Sequence, residues 1–218
     1  MTVPRGVVVP VVVQVAGDGA LFTQPGLTAE RLSYSVMTPS AAVGVLEAIF
    51  WKPEIRYRIE KIEVLQPIRT FTLRRNETTD LAPLLEAAKG TRTVDTAANR
   101  VQRNAVCLKD VGYRIHAHID LERHATKPAA AYLDQVGRRI ESGRCFSQPF
   151  LGTREFPARF GVPDDADPFD VSAELGMMLH SIDYTVTPRQ SRWFLARIEN
   201  GVVHVPRYGI TGEAAVVA

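Results

Sequence analysis

Apolar and polar positions alternate along several segments of the chain, and this alternation predicts β-strands. It is clearest in "DVGYRIHAHIDL" (110–121), where the residues between the apolar ones include arginine, histidine and aspartate. A period of two is typical of a strand with one buried face. The same pattern predicts strands at 54–64, 68–75 and 175–186, and a run of β-branched residues predicts another at 7–15.

Two segments have the period of an amphipathic helix instead. The first begins with Thr38 as N-cap and Pro39 in the first turn, and it ends before Pro53, which cannot continue a helix. Its apolar stripe consists of Ala42, Val45, Leu46 and Ile49. The second helix covers 128–142, where Gly143 is placed to end it.

The remaining segments are rich in turn-forming or polar residues. "GDGALFTQPG" (17–26) predicts a loop. Residues 76–104 are interpreted as an insertion, with a short helix within 79–90 and a polar, loop-like remainder. The dipeptide Asn200-Gly201 favours a type I′ hairpin over 192–206.

The order of these elements predicts an α+β fold. A strand, a loop, a helix, two strands and a second helix are typical of a ferredoxin-like (RRM-like) βαββαβ domain, which we place at 1–143 with the insertion near 76–104. Residues 144–218 contain only strand patterns, so we expect a small β-rich C-terminal appendage there.

Composition restricts the class of protein. The chain has 218 residues, of which 45% are hydrophobic, and this is enough for a packed core. Its net charge of +2 is too small to indicate nucleic-acid binding, so such a function depends on local clusters. Two cysteines, Cys107 and Cys145, have no metal-ligand spacing and predict a reduced, cytoplasmic chain with both thiols buried. The apolar run near the N-terminus is too short to cross a membrane.

Motifs for the common cofactors are absent from the sequence. It has no P-loop, GxGxxG, nucleophile elbow, HExxH or CxxC pair, and this argues against ATPases, dehydrogenases and serine hydrolases. We therefore expect no cofactor and no metal.

The strongest metal-ligand candidates are two histidines on one strand face. His116 and His118 have the i, i+2 spacing that brings two side chains together, and Asp120 would have to serve as a third ligand. A solvated polar strand face explains the same pattern and is the favoured interpretation.

A second cluster of candidate side chains precedes and opens the second helix. His124, Lys127 and Tyr132 could supply a base, a cation and an acid. A plain surface turn is the alternative.

Basic residues gather near the ends of two predicted strands. Guanidinium groups there match the geometry of phosphates, so five residues are candidate RNA contacts. They are Arg74, Arg75, Asn76, Arg103 and Lys109. Charge on exposed strand faces is the equally weighted alternative. No aromatic RNP1 signature is present, so base stacking on a standard RNA-recognition sheet is not supported.

Five blocks, in this order, resemble the Cas-five-d branch (subtype I-C) of the CRISPR-associated Cas-five family. They are "RLSYSVMTPSAAVGVLEAIFWKPEIRY", "PIRTFTLRRNE", "VQRNAVCLKDVGYRIHAHI", "CFSQPFLGTREFPA" and "LGMMLHSIDY". The resemblance implies an endoribonuclease that binds and cleaves the repeat hairpin of precursor CRISPR RNA (crRNA) without a metal. The ribose 2′-hydroxyl attacks the adjacent phosphate, and the protein remains on the 5′ handle in a type I-C interference complex.

The resemblance also implies catalytic positions, and this chain departs from them. A tyrosine is expected at the end of the first helix, but Phe50 is found there, and a phenyl ring cannot exchange a proton. A Lys-His pair is expected at about Ala131 and Tyr132, so Lys127 with His124 or Tyr132 would have to supply these functions. Two alternatives stay open: a non-catalytic RNA-binding subunit of the same complex, and binding of double-stranded DNA.

Overall fold

The computed structural model describes residues 9–25, 30–78, 83–91, 93–95 and 97–211. The strands are β1 (Val9–Ala20), β2 (Arg31–Leu32), β3 (Ile55–Val64), β4 (Thr70–Thr78), β5 (Arg100–Leu121), β6 (Arg159–Gly161), β7 (Ala173–Asp183), β8 (Gln190–Ile198), β9 (Val202–His204) and β10 (Ile210–Thr211). The helices are α1 (Pro39–Ile49), α2 (Leu84–Ala88) and α3 (Ala129–Ser142). The predicted mixture of helices and strands is confirmed, and the sheets are mainly antiparallel.

Strand β5 is the spine of the main sheet, whose order is β6-β1-β5-β3-β9. Its second half pairs antiparallel with β1, in the register Val13↔Ile115, and with β3, in the register Ile59↔Ala117. Its first half extends beyond these strands and pairs with β4. We call this two-stranded extension the β4–β5 arm. Short β2 pairs in parallel with the base of the arm.

The predicted helices lie close to their expected positions. Thr38 caps α1 by accepting a hydrogen bond from the Ala41 N–H, and Gly143 ends α3 in the left-handed conformation. Their apolar stripes join the apolar face of β1, β3 and β5 in one core. Leu46 of α1 is fully buried there, so truncating it to alanine would cost about 2–5 kcal/mol.

Two strands beyond residue 143 return to the main sheet. β6 pairs with the edge of β1, and β9 pairs with β3. The other three, β7, β8 and β10, form a separate sheet in the order β10-β8-β7. The division of the chain at residue 143 stays a prediction.

The predicted hairpin over 192–206 is only partly correct. Asn200 and Gly201 both have positive φ, 49° and 79°, as a type I′ turn requires. The strands on either side of this turn do not form a ladder, however, because β8 pairs with β7 while β9 pairs with β3. A single bridge, Glu199↔Val202, closes the turn.

Two predicted loops are wrong in part. The loop at 17–26 begins later than expected, because β1 continues to Ala20 against β5. Gly17 belongs to this part of β1 and allows close packing, since a Cβ at this position would lie 2.5 Å from Leu151 Cδ1. The insertion near 76–104 is also shorter, because Thr78 and Arg100 belong to the arm's strands.

Within the described ranges, no helix is both long and apolar enough to cross a membrane.

Candidate functional site

The C-terminal end of α1 is held by hydrogen bonds from three directions. Phe50 caps the helix, and its N–H donates to Leu46 O. The ring is buried, with 3% of the residue exposed, and the Phe50 carbonyl accepts a hydrogen bond from the Tyr57 hydroxyl at 2.8 Å. Burial raises the pKa of Tyr57, and the nearby Glu47 charge raises it further, so this hydroxyl is a fixed donor at neutral pH.

Helix α3 and the segment after it complete this helix end. Arg139 Nη1 donates to Ile49 O at 2.7 Å, and its guanidinium carbon lies 5.3 Å from the centre of the Phe50 ring. The Phe146 N–H donates to Ala48 O at 2.9 Å. Cations and N–H donors at a helix C-terminus satisfy carbonyls that have no partner inside the helix. Phe50 is therefore a core residue beneath a cation.

The loop before α3 lies at the same end of the sheet. The Glu122 N–H donates to Glu54 O at 2.9 Å, and Arg56 forms an ion pair with Glu122. His124 and Lys127 follow in this loop, and both are exposed. The fold thus brings two predicted site residues to the end of the sheet where α1 finishes.

Tyr132 is placed differently from the other two residues of its cluster. Only 2% of it is exposed, and its hydroxyl has no hydrogen-bond partner in the described part of the chain. A buried hydroxyl without a partner costs about 1–3 kcal/mol. Tyr132 would reach a phosphodiester only after a movement of α3.

Glu47 is a titratable residue near this site that sequence reasoning missed. It lies in the last turn of α1 and is half-buried. Burial raises the pKa of this carboxyl, and the charge of Arg56 partly opposes the shift. Its only sequence signal is its place in the "LEAIFW" block, three residues before Phe50.

His116 lies on the polar face of the sheet in a network of charges. Its Nε2 atom is 3.0 Å from Glu63 Oε1, although not in hydrogen-bond geometry, and Glu63 accepts hydrogen bonds from Lys61 and Arg114, both at 2.7 Å. Burial alone would raise the pKa of Glu63, but these two donors outweigh it and the pKa is lowered. Burial lowers the pKa of His116, with Glu63 opposing.

The neighbouring polar residues are paired as well. His118 Nε2 lies 2.8 Å from Glu60, and Asp120 pairs with Arg58 at 3.0 Å. His116 and His118 thus face different carboxylates, and Asp120 faces an arginine. Among the described residues, no three histidine, cysteine, aspartate or glutamate side chains are grouped as metal ligands.

The β4–β5 arm carries most of the predicted RNA contacts, but it divides them between two faces. Arg74 and Asn76 are exposed on one face. Arg75 and Arg103 are cross-strand neighbours on the other. There Arg75 forms an ion pair with Glu155, and Arg103 lies 3.7 Å from Glu77, which also pairs with Arg31. Lys109 is exposed at the base of the arm.

A second basic surface, which sequence reasoning passed over, lies at the C-terminal end of α3. Arg138, Arg139 and Arg144 line a cavity of about 480 Å³ together with Gln135, Ser142 and Cys145. None of these arginines forms an ion pair with a carboxylate of the described residues. We call this the α3-end surface. The sequence signal was "GRRIESGR", which helical periodicity places on a solvated face.

Comparison with known proteins identifies a family. The model of the Cas5d family of CRISPR-associated proteins matches residues 11–206. A protein of Mannheimia succiniciproducens named "CRISPR pre-crRNA endoribonuclease Cas5d" is 41% identical over 211 residues, which cover 88% of this chain and 92% of that protein. A protein of the same name from Thermus thermophilus is 41% identical over 192 residues, covering 88% of this chain and 81% of that protein.

Solved structures show the same fold. A functionally uncharacterized protein from Streptococcus mutans superposes with a TM-score of 0.66 at 23% identity, covering 91% of this chain and 92% of the other. A structure described as a CRISPR-associated protein superposes with a TM-score of 0.67 at 24% identity and the same coverage.

Proposed function

Because the chain belongs to the Cas5d family of CRISPR-associated proteins, we propose that it is an endoribonuclease that binds and cleaves the repeat hairpin of precursor crRNA. The carrying observation is 41% identity, over most of both chains, to two proteins named for that activity. After cleavage the protein stays on the 5′ handle as a subunit of a type I-C interference complex.

The main sheet supplies the scaffold as a ferredoxin-like core. Its four strands are β1, β3, the second half of β5, and β6. The order β6-β1-β5-β3, antiparallel throughout, supports this assignment, as does a helix after β1 and another after β5. The β4–β5 arm and the three-stranded sheet are additions to this core.

The chemistry is attack by a ribose 2′-hydroxyl on the adjacent phosphorus. The 2′-oxygen loses its proton to a base and bonds to phosphorus, the bond from phosphorus to the 5′-oxygen breaks, and an acid protonates that oxygen. Exposed Lys127 faces the charge that develops on the phosphate, and exposed His124 exchanges a proton. Neither step requires a metal.

Phe50 and Tyr132 do not supply the proton transfers expected of this site. Phe50 occupies the position of the expected tyrosine without its hydroxyl, and the Tyr132 hydroxyl is buried. These two observations favour the second candidate function, a non-catalytic RNA-binding subunit of the same complex.

The RNA backbone follows exposed basic side chains. Arg74 and Asn76 on the outer face of the arm, and Lys109 at its base, are free to contact phosphates. Arg75 and Arg103 are the weaker candidates, because carboxylates already neutralise them.

Incubation of the protein with repeat RNA in EDTA separates the two candidates. We expect the wild type to yield a cut product and Lys127→Ala to lose most of the cleavage rate. The control is Lys89→Ala, which changes an exposed lysine at the C-cap of α2 and should cause no loss. A gain of rate in Phe50→Tyr would show that the missing hydroxyl matters. RNA binding without any product would select the non-catalytic subunit, and preferential binding of duplex DNA in competition would contradict both.

A further inference from the structure

Two large aromatic side chains are exposed at the end of α1, beside the proposed cleavage site. Phe146 is 78% exposed and Trp51 is 53% exposed. Both lie next to residues whose positions are fixed: Trp51 follows the buried cap Phe50, and the Phe146 N–H is bonded to Ala48 O. Neither ring contributes much to the core, so packing does not explain them.

Hydrogen bonds fix the main chain around Phe146, while its side-chain ring is exposed. Ser147 also donates its N–H to Ala48 O at 3.0 Å, and Gly143 begins the segment in the left-handed conformation that ends α3. Because this backbone is fixed, binding a flat partner would order only the two side-chain torsions of the ring. This is the property of a preorganised contact.

The arginines of the α3-end surface lie near Phe146, because the adjacent Cys145 borders the same cavity. Arg138 and Arg144 are exposed in the α3-end surface, and Arg139 is fixed between Ile49 O and the Phe50 ring. Asp134 and Glu141 border a neighbouring cavity together with Arg138, but neither forms an ion pair with these arginines within the described residues. The surface therefore keeps positive charge available for an anion.

We propose that the α3-end surface with Trp51 and Phe146 binds single-stranded RNA next to the scissile bond. Bases stack on the two rings, and Arg138 and Arg144 contact the phosphates. The inference rests on the proposed function in one respect: it assigns this RNA as the unpaired nucleotides that flank the repeat hairpin.

Unpaired RNA fits this surface better than a duplex or a protein. Base faces are available to aromatic rings only when the bases are unstacked and unpaired, and exposed aromatics beside a basic groove are typical of single-strand binding. Aromatic residues and arginine also occur at protein interfaces. Three arginines, none of them in an ion pair with a carboxylate of the described residues, favour a polyanion.

Tryptophan fluorescence tests stacking directly. The chain has two tryptophans, so Trp193→Phe leaves Trp51 as the only one. We expect that a single-stranded RNA of about ten nucleotides quenches Trp51 fluorescence on binding, as base stacking on an exposed indole would. A blunt RNA hairpin without flanks is expected not to quench it.

Affinity in matched variants gives the second readout. Phe146→Ala is expected to weaken single-strand binding by about tenfold, the usual effect of removing one stacking ring. The control is Tyr208→Ala, which removes a similarly exposed ring (75%) that has the Arg207 guanidinium over it and lies just before β10 of the three-stranded sheet. Unchanged thermal unfolding of both variants shows that folding is intact.

The outcomes separate this proposal from the proposed function. If the wild type cuts repeat RNA while Phe146→Ala binds and cuts equally well, the stacking surface is wrong and the nuclease stands. If Trp51 is quenched but no repeat RNA is cut, the surface stands and the nuclease fails. Absence of single-strand binding, or equal loss of blunt-hairpin binding in Phe146→Ala, overturns the stacking proposal.

Discussion

The chain contains two consecutive arginine pairs, Arg74-Arg75 and Arg138-Arg139, and their surroundings differ. On the strand β4, Arg74 is exposed while Arg75 is turned to the other face, where it meets Glu155. On the helix α3, Arg138 is exposed while Arg139 donates to a carbonyl and lies over a ring. A carboxylate cancels the charge of Arg75, whereas neither partner of Arg139 cancels its charge.

The other arginines near each pair show the same difference. On the sheet, arginines that face carboxylates include Arg58, Arg103 and Arg114. At the α3-end surface, three arginines share one cavity without such a partner among the described residues. We infer that the paired arginines contribute to stability, and that exposed Arg138 and Arg144 are available for binding.

The largest expected effect is at Glu63, the carboxylate at the centre of the paired network. Both Glu63 and its partner Arg114 are almost fully buried, and breaking a buried pair from one side costs about 3–5 kcal/mol. Glu63→Gln should therefore lower the free energy of unfolding by roughly 3 kcal/mol, as measured by urea denaturation. The matched control is Glu174→Gln, which removes an exposed pair with Arg197. Equal stability of the two variants would contradict the importance of burial.

The next largest effect is expected on the affinity of the α3-end surface for single-stranded RNA. Arg138→Ala with Arg144→Ala should weaken single-stranded RNA affinity by about tenfold and reduce the salt dependence of log K by about 0.7 per lost phosphate contact. The free energy of unfolding should hardly change, because both side chains are exposed. A titration at several salt concentrations measures both quantities. A stability loss without a binding loss would reverse the roles assigned to the two regions.

The paired network also predicts how stability depends on pH. Burial lowers the pKa of His116 from 6.5, so as pH falls below about 6.5 the unfolded chain takes up a proton before the folded one does, and stability declines. The lowered pKa of Glu63 extends the decline below about 4.5, where the unfolded carboxyl is protonated first. Unfolding midpoints measured across this range should fall, and His116→Gln should remove the upper part of the decline. A wild-type midpoint that rises on acidification would contradict this account.

The smallest effect is expected in the arm. Arg75→Ala with Arg103→Ala removes partly exposed ion pairs, each worth at most about 1 kcal/mol. RNA affinity should change less than threefold, well below the change in the α3-end double variant. If the arm variant loses more affinity than the α3-end double variant, then Arg75 and Arg103 leave Glu155 and Glu77 when RNA binds and contact phosphates instead. That result would contradict the structural role assigned to the arm's ion pairs.

Local signals predicted the helices and the half-buried strands well. Thr38-Pro39 and Pro53 bracket α1 because capping and the missing proline N–H act within a few residues. The strand β5 was visible because one of its faces is buried along 111–119. The first five residues of β5 were taken for a loop, since the arm has no continuous buried face there to produce an alternating pattern.

Pairing and charge availability could not be predicted in the same way. Asn200-Gly201 defines a turn, but the partner of Val202–His204 is β3, far away in sequence. The two Arg-Arg pairs look alike in the sequence, and only the tertiary structure brings Glu155 to Arg75. Burial of Tyr132 likewise depends on how α3 packs, and this is why its predicted chemistry is the least accessible part of the site.

A single 2′-deoxy substitution in repeat RNA, on the ribose whose hydroxyl would attack, tests the proposed cleavage chemistry. Cleavage of the natural and substituted RNA is followed in EDTA, with affinity measured for both. We expect the natural RNA to be cut, and the deoxy RNA to bind equally well without being cut. Equal cleavage of both would contradict attack by the 2′-hydroxyl, and absence of product from the natural RNA would contradict the endoribonuclease itself.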